Sequence, residues 1–366
     1  MALAPLLLAP AGVAALGLGW MAVSGRLLWS APPAKARHVE ADPAGLEAVE
    51  GFIREHFHTG PRAMLKAGKT RRELLQAKRE MFDAFGDAPP IGADWGVEFR
   101  PMDAGGVPGE WAVPPGADPG RRLLYLHGGG FTVGGTRSHR PITVALAKAL
   151  GGAVLAVDYR LMPENKRLDS VDDAVAAHAF AAANGPGGPA PAKTLWVGGD
   201  SAGGSLTLAL LQLVRNSGGR MPDAAFAFSP ATDSTFTGPS IRENFSTDTM
   251  IQPLAKPLLD APRALVPFGV WKQAGTRPTD PRISPLFGKL HNLPPTLIQV
   301  SATEMLLDDA RRYAARAVAA GSEVELEVWH APEGAPPLPH VWQIFDIPAA
   351  RDALERVARF LSAHVQ

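Results

Sequence analysis

The chain has 366 residues, with 36 Lys and Arg set against 36 Asp and Glu, and no cysteine. Balanced charge leaves no electrostatic footprint for nucleic acid, and the missing thiols exclude disulfides, thiolate metal sites and a cysteine nucleophile. The length suits one large α/β domain with an insertion and a smaller appendage.

The first 25 residues, MALAPLLLAPAGVAALGLGWMAVSG, carry no charged side chain. As a helix at about 1.5 Å per residue they would be long enough for a hydrocarbon core of roughly 30 Å. A membrane anchor is the expectation. A cleaved export signal and an apolar helix packed on a cytoplasmic protein are the alternatives. Trp20 and Trp29 fit interfacial positions, and Arg26, Lys35 and Arg37 follow the segment, which favours a cytoplasmic side. No Lys or Arg precedes it, unlike an export signal, and Pro5 and Pro10 weaken a straight helix.

Residues 26–97 are predicted to be helical. Leu46, Val49, Phe52 and Ile53 recur at helical spacing, as do Leu74, Leu75, Ala77 and Met81. His56 and His58, two apart on a helix, face different directions and are not expected to share a metal.

From residue 98 the pattern changes. RLLYLH, AVLAVD, TLWVG, AAFAFS, TLIQV and EVELEVW read as strands, most of them continuously apolar, as buried parallel strands are. PITVALAKALG, SLTLALLQLVRN, ARRYAARAVAAG and RDALERVARFLSAH read as helices between and after them. Such alternation predicts an α/β fold, a mostly parallel sheet with helices on both faces. Residues 98–236 form its first part and residues 286–366 its second. The proline-interrupted stretch 237–285, with no strand pattern, is an insertion between them.

Two glycine-rich stretches carry chemistry. In LYLHGGGFTVGG, residues 124–135, three glycines follow a strand, so something approaches this backbone closely, either a phosphate or an oxygen that becomes negative during a reaction. A phosphate loop would continue G-K-[ST], whereas Phe131 and Thr132 follow Gly130. The second stretch, Gly199-Asp200-Ser201-Ala202-Gly203, is a G-x-S-x-G placed after a strand and opening a helix. On so tight a turn a serine stands above the sheet, at a helix N-terminus that favours negative charge.

Such a serine needs a base, and the base needs an acid, both further along the chain. Of His291, His330, His340 and His364, the last lies in the terminal helix and the first precedes a strand. His340 is preferred to His330 because it ends the loop HAPEGAPPLPH just before the next helical segment. Glu304, in the turn after TLIQV, is preferred as the acid to Asp308, which with Asp309 already falls among helix-like residues. Ser301 and Glu304 also have capping-box spacing, a purely structural alternative for the glutamate.

Together His127-Gly128-Gly129-Gly130-Phe131, DYRLMPE at 158–164, Gly199-Asp200-Ser201-Ala202-Gly203-Gly204 and His340-Val341-Trp342 resemble the hormone-sensitive-lipase-like branch of the α/β-hydrolase carboxylesterases. The resemblance covers roughly residues 100–366. It implies the α/β-hydrolase fold, a helical cap formed by the early helices and the insertion, and an oxyanion hole built from the amides of Gly129, Gly130 and Ala202. His127, Gly128, Gly199, Asp200 and Gly203 support that motif, with His127 as a brace. The expected activity is hydrolysis of short- to medium-chain esters through Ser201, His340 and Glu304, without metal or cofactor. An amide or lactone hydrolase, or an inactive ligand-binding relative, is the alternative. A small-molecule ester is the expected partner, and a homo-oligomer is compatible with the sequence. The chain departs from the family's D-x-L-x-D acid loop, reading Glu304-Met305-Leu306-Leu307-Asp308, and from the family's short turn before the histidine.

Overall fold

The computed structural model describes residues 34–40, 42–84, 95–262 and 265–365. Among these, nine strands form one sheet: β1 (Lys35–His38), β2 (Glu98–Asp103), β3 (Pro108–Val113), β4 (Asp118–Leu126), β5 (Gly152–Val157), β6 (Thr194–Asp200), β7 (Ala224–Phe228), β8 (Thr296–Ser301) and β9 (Val324–His330). Their spatial order is β1-β9-β8-β7-β6-β4-β5-β3-β2. Within this sheet only the β2–β3 and β3–β5 pairings are antiparallel.

Every residue of β5, β6, β7 and β8 is buried, so the continuous apolar runs reflect strands covered on both faces. One face packs on α5 (Arg167–Ala183) and α6 (Ser201–Ser217) through Val171, Ala174, Ala177, Leu206, Leu210 and Val214. The opposite face packs on α4 (Arg140–Leu150) and α11 (Pro348–Ala363) through Ile142, Leu146, Leu354, Val357 and Leu361. Helix α10 (Leu307–Ala319) covers β7, β8 and β9 beside α6, with Ala310, Tyr313, Ala314 and Ala317 in the shared core. The expected α/β architecture is therefore the observed one.

Two parts of the sheet escape the sequence pattern. The β2–β3 hairpin has a half-exposed outer strand containing Arg100 and Pro101, which breaks any apolar run. β1 has only four residues, yet it adds a parallel edge strand to β9, with Lys35 opposite Glu327 and His38 opposite His330.

The early helices α1 (Pro43–Ile53), α2 (Gly60–Lys66) and α3 (Arg71–Ala84) follow, with a π-helical turn over Arg54–Thr59. His56 and His58 fall in that turn and bond separately, His56 Nδ1 with the Phe52 carbonyl and His58 Nε2 with the Thr249 carbonyl, at 2.9 and 2.6 Å. The described residues of the stretch 237–285, expected as an insertion, contain three short helices, α7 (Ser240–Glu243), α8 (Gln252–Asp260) and α9 (Val266–Ala274). No helix of the described residues is long and apolar enough to cross a membrane. The apolar segment 1–25, expected as an anchor, lies outside the described residues.

Candidate active site

Strands β4, β6, β8 and β9 run parallel, so the segments leaving their C-terminal ends gather at one edge of the sheet. Those segments are the glycine loop, the Ser201 turn, the acid turn and the loop carrying His340.

Ser201 is the first residue of α6 and has φ 51°, left-handed backbone that serine adopts only under constraint. The flanking glycines are dictated by space. A Cβ on Gly199 would meet the Leu126 carbonyl oxygen at 2.3 Å, and one on Gly203 would meet the same oxygen at 1.9 Å. Any side chain at either position would push the turn off the end of β4. Ala202 is buried in the first turn of α6, where an amide has no intrahelical acceptor.

The glycine loop is held from beneath by Asp200. Its buried carboxylate accepts from Tyr125 Oη at 2.6 Å and from the Gly128 amide at 2.9 Å, and lies 3.3 Å from His139 Nε2. Gly129 has φ +107°, and a Cβ there would sit 2.1 Å from the Val133 carbonyl oxygen, so the sharp reversal excludes any other residue. The Gly129 carbonyl accepts the amides of Thr132 and Val133, closing the turn. His127 is a brace by geometry: its ring stacks on Tyr159 at 4.1 Å and its Nδ1 lies 2.7 Å from the Gly128 carbonyl. Burial and the neighbouring His139 push its imidazole down to about 3, so it is neutral at physiological pH.

His340 Nδ1 lies 2.8 Å from Glu304 Oε2, and both side chains are buried. Glu304 Oε1 also accepts the Ser301 amide at 3.1 Å, and because the helix begins only at Leu307 this bond closes the turn after β8 and caps no helix. Ser301 Oγ donates to the Leu338 carbonyl at 2.9 Å, tying the acid turn to the histidine loop. Burial pulls the His340 imidazole down, but the hydrogen bond and charge of Glu304 outweigh it and raise the imidazole above its usual value. Burial lifts the Glu304 carboxyl above the ordinary range.

The other candidates are placed elsewhere. Asp308 accepts the Ser240 amide at 2.8 Å and lies 3.5 Å from Arg311. His330 stacks on His38 at the sheet edge, and His364 lies 3.3 Å from Glu323. His291 follows the 3-10 turn Pro285–Phe287 in the approach to β8.

Several supporting residues are not signalled by any motif. Besides Tyr125 and His139, Arg79 of α3 donates to the Thr132 carbonyl at 2.9 Å and to both carboxylate oxygens of Glu164. Arg79 thus joins an early helix to the glycine loop. Helix α1 packs Leu46, Val49 and Ile53 against Trp329, Leu338 and Trp342, at the root of the long histidine loop. No group of three or more potential metal-ligating side chains is assembled among the described residues.

A doubly covered parallel sheet with a serine in a strand–turn–helix elbow defines the α/β-hydrolase class. Residues 123–333 match the family profile described as the alpha/beta hydrolase fold. The chain is similar to an acetyl-hydrolase of Streptomyces hygroscopicus, 38% identical over 318 residues that cover 86% of this chain and 95% of that one. It is 30% identical to an esterase of Acinetobacter venetianus, over 73% of this chain and 82% of that one. A crystal structure of an esterase from the bacterial hormone-sensitive lipase family superposes with a TM-score of 0.73 and 35% identity, covering 89% of this chain and all of that one. The chain belongs to the hormone-sensitive-lipase-like esterases of the α/β-hydrolase fold, and it is a carboxylic ester hydrolase.

Proposed function

We propose that the chain hydrolyses short- to medium-chain carboxylic esters through a Ser201–His340–Glu304 triad and an acyl-enzyme intermediate. The observation that carries this reading is the buried 2.8 Å contact between His340 Nδ1 and Glu304 Oε2, at the sheet edge that also presents Ser201 in its left-handed turn. With Nδ1–H bound to the carboxylate, the lone pair of Nε2 is left to take the serine proton. Ser201 Oγ attacks the ester carbonyl, and the amides of Gly129, Gly130 and Ala202 receive the developing oxyanion. One such donor is typically worth about 3 kcal/mol in the transition state. The imidazolium then protonates the leaving alcohol, and a water activated by His340 repeats the attack to free the acid and restore Ser201. No cofactor enters any step. Similarity to an acetyl-hydrolase supports a small acyl group.

The test is covalent capture. An aryl phosphonate should label the wild type with a single adduct on Ser201 in intact-mass spectra, and Ser201→Ala should take up none and show no burst with an activated aryl ester. Residual turnover within about tenfold of wild type in that variant would remove Ser201 from the mechanism.

A further inference from the structure

The stretch 237–285, read from sequence as an insertion that joins the cap, reaches into the acid turn. Four of its side chains bond the backbone of residues 302–305. Asn244 Nδ2 donates to the carbonyls of Ala302 and Glu304 at 3.2 and 2.9 Å, and Thr247 Oγ1 to that of Thr303 at 2.8 Å. Ser240 Oγ donates to the Met305 carbonyl at 2.8 Å, and Asp248 Oδ2 accepts the Met305 amide at 2.8 Å. The Asp248 residue is only 2% exposed, and its second oxygen accepts the Ile251 amide at 2.9 Å, just ahead of α8.

Asp248 has an ordinary explanation as the cap of the turn that leads into that helix, for which an uncharged asparagine would serve equally well. What a cap does not require is a carboxylate buried beside a second carboxylate. Two buried like charges are costly unless a cation or hydrogen-bond donors compensate them. Here backbone amides compensate, those of Ile251 and Met305 on Asp248 and that of Ser301 on Glu304, yet burial still lifts both carboxyls above the ordinary range, and the charge that His340 gains as an imidazolium favours both carboxylates.

We propose that Asp248, supplied by the insertion, is a positioning residue for the acid arm of the triad: it pins the Met305 amide, hence the turn that presents Glu304, and places a second negative charge beside the Glu304–His340 pair. The inference rests on the triad reading given above. Three carboxylates then act on His340, each from a different segment: Glu304 of the acid turn, Asp248 of the insertion and Asp200 at the end of β6, all favouring the imidazolium. Asp248 contributes during the step in which that imidazolium forms, without touching the reacting atoms.

The experiment compares Asp248→Asn, Asp248→Glu and Asn244→Ser in kcat/KM against pH, using a neutral activated aryl ester. His340 must be neutral to act as base, so the acidic limb of kcat/KM follows its ionisation in the free enzyme. Losing the Asp248 charge lowers that ionisation, and the limb of Asp248→Asn should move to lower pH by about 0.5 to 1 unit. Its plateau kcat should fall about tenfold, with KM within about threefold of wild type. Asp248→Glu should return the limb to its wild-type position. Asn244→Ser, which loosens the same turn without changing charge, should lower kcat and leave the limb in place. A wild-type limb in Asp248→Asn, whatever its melting temperature, overturns the electrostatic role, and wild-type kcat in both Asp248→Asn and Asn244→Ser overturns the positioning role. Ser201→Ala separates the two levels: if it stays active the triad reading fails, whereas an inert Ser201→Ala beside a wild-type-like Asp248→Asn sinks this inference alone.

Discussion

At the scale of single residues, Glu304 holds the Ser301 amide with one oxygen and His340 with the other. A glutamine there keeps an acceptor for the amide but turns an N–H toward Nδ1, which stabilises the wrong imidazole tautomer and removes the balancing charge. Glu304→Gln should lower kcat by about 10³ to 10⁴ with KM little changed. Asp308→Asn, which retains an acceptor for the Ser240 amide, should stay within about threefold of wild type. Steady-state kinetics on an aryl ester decides between them, and a larger loss in the Asp308 variant would transfer the acid role. Both candidates were visible in the sequence because each sits at a readable distance from the end of a strand. The elbow glycines were visible for a similar reason, since a tight turn imposes a local spacing. Tyr125, His139, Arg79 and Asp248 were not. Tyr125 meets Asp200 75 positions along the chain, and Arg79 meets Glu164 85 positions along, so no window of sequence contains either pair.

At the scale of elements, the buried strands announced themselves because each is covered on both faces and so carries one unbroken apolar run. The β2–β3 hairpin did not, since its outer strand is half exposed and admits Arg100 and Pro101. Helix α10 hides something that periodicity cannot show, a buried acid pair. Asp309 accepts the amides of Thr232 and Asp233 at 2.7 and 2.9 Å, while Arg312 bonds Asp233 at 2.7 Å. The arginine is thus closest to the second acid. Burial, and then the charge of Asp233, push the Asp309 carboxyl up to about 8. An unfolded aspartate ionises at about 3.9, so between the two values the folded chain keeps a proton that the unfolded chain has released. The stabilisation tied to this group is full below about pH 4 and is lost as pH rises toward about 8. The slope is at most about 1.4 kcal/mol per pH unit. Asp309→Asn, neutral throughout, should therefore melt at a temperature that varies less between about pH 5 and 8 than that of the wild type. Parallel melting curves across that range would mean that Asp309 is ionised in the folded protein.

At the scale of the whole molecule, the shortest strand of the large sheet forms one of its edges. β1 is four residues long and most of its side chains are exposed, so nothing in its composition marks it as structural. Its role comes from where it pairs. It lies parallel along β9, the Val39 amide extends the ladder to the His330 carbonyl at 3.2 Å, and Arg37 reaches the buried Glu327 at 3.0 Å. Glu327 also takes Arg356 of α11 and Gln299 of β8, so this carboxylate joins two strands, a helix and the N-terminal segment. Beyond β9 the chain enters the loop that delivers His340, and Trp329 and Leu338 at its root pack on α1, whose start is capped by Asp42 through the Gly45 amide at 3.1 Å. A chain beginning at Ala34 keeps all of these contacts and is the reference against which the loss of β1 is read. A chain beginning at Asp42 keeps the cap of α1 but loses the edge ladder and the Arg37 ion pair, a deficit of about 2 to 4 kcal/mol given one partner of a buried charge and several backbone bonds. For a domain of this size that corresponds to a melting temperature lower by roughly 3 to 6 °C. The uncovered edge of β9 should also make the shorter chain self-associate, because an unpaired strand edge templates another. Differential scanning calorimetry with static light scattering on the two truncations reads both effects. If the Asp42 chain melts with the Ala34 chain and stays monodisperse, β1 is an ornament on the sheet and the support of the histidine loop rests on α1 alone.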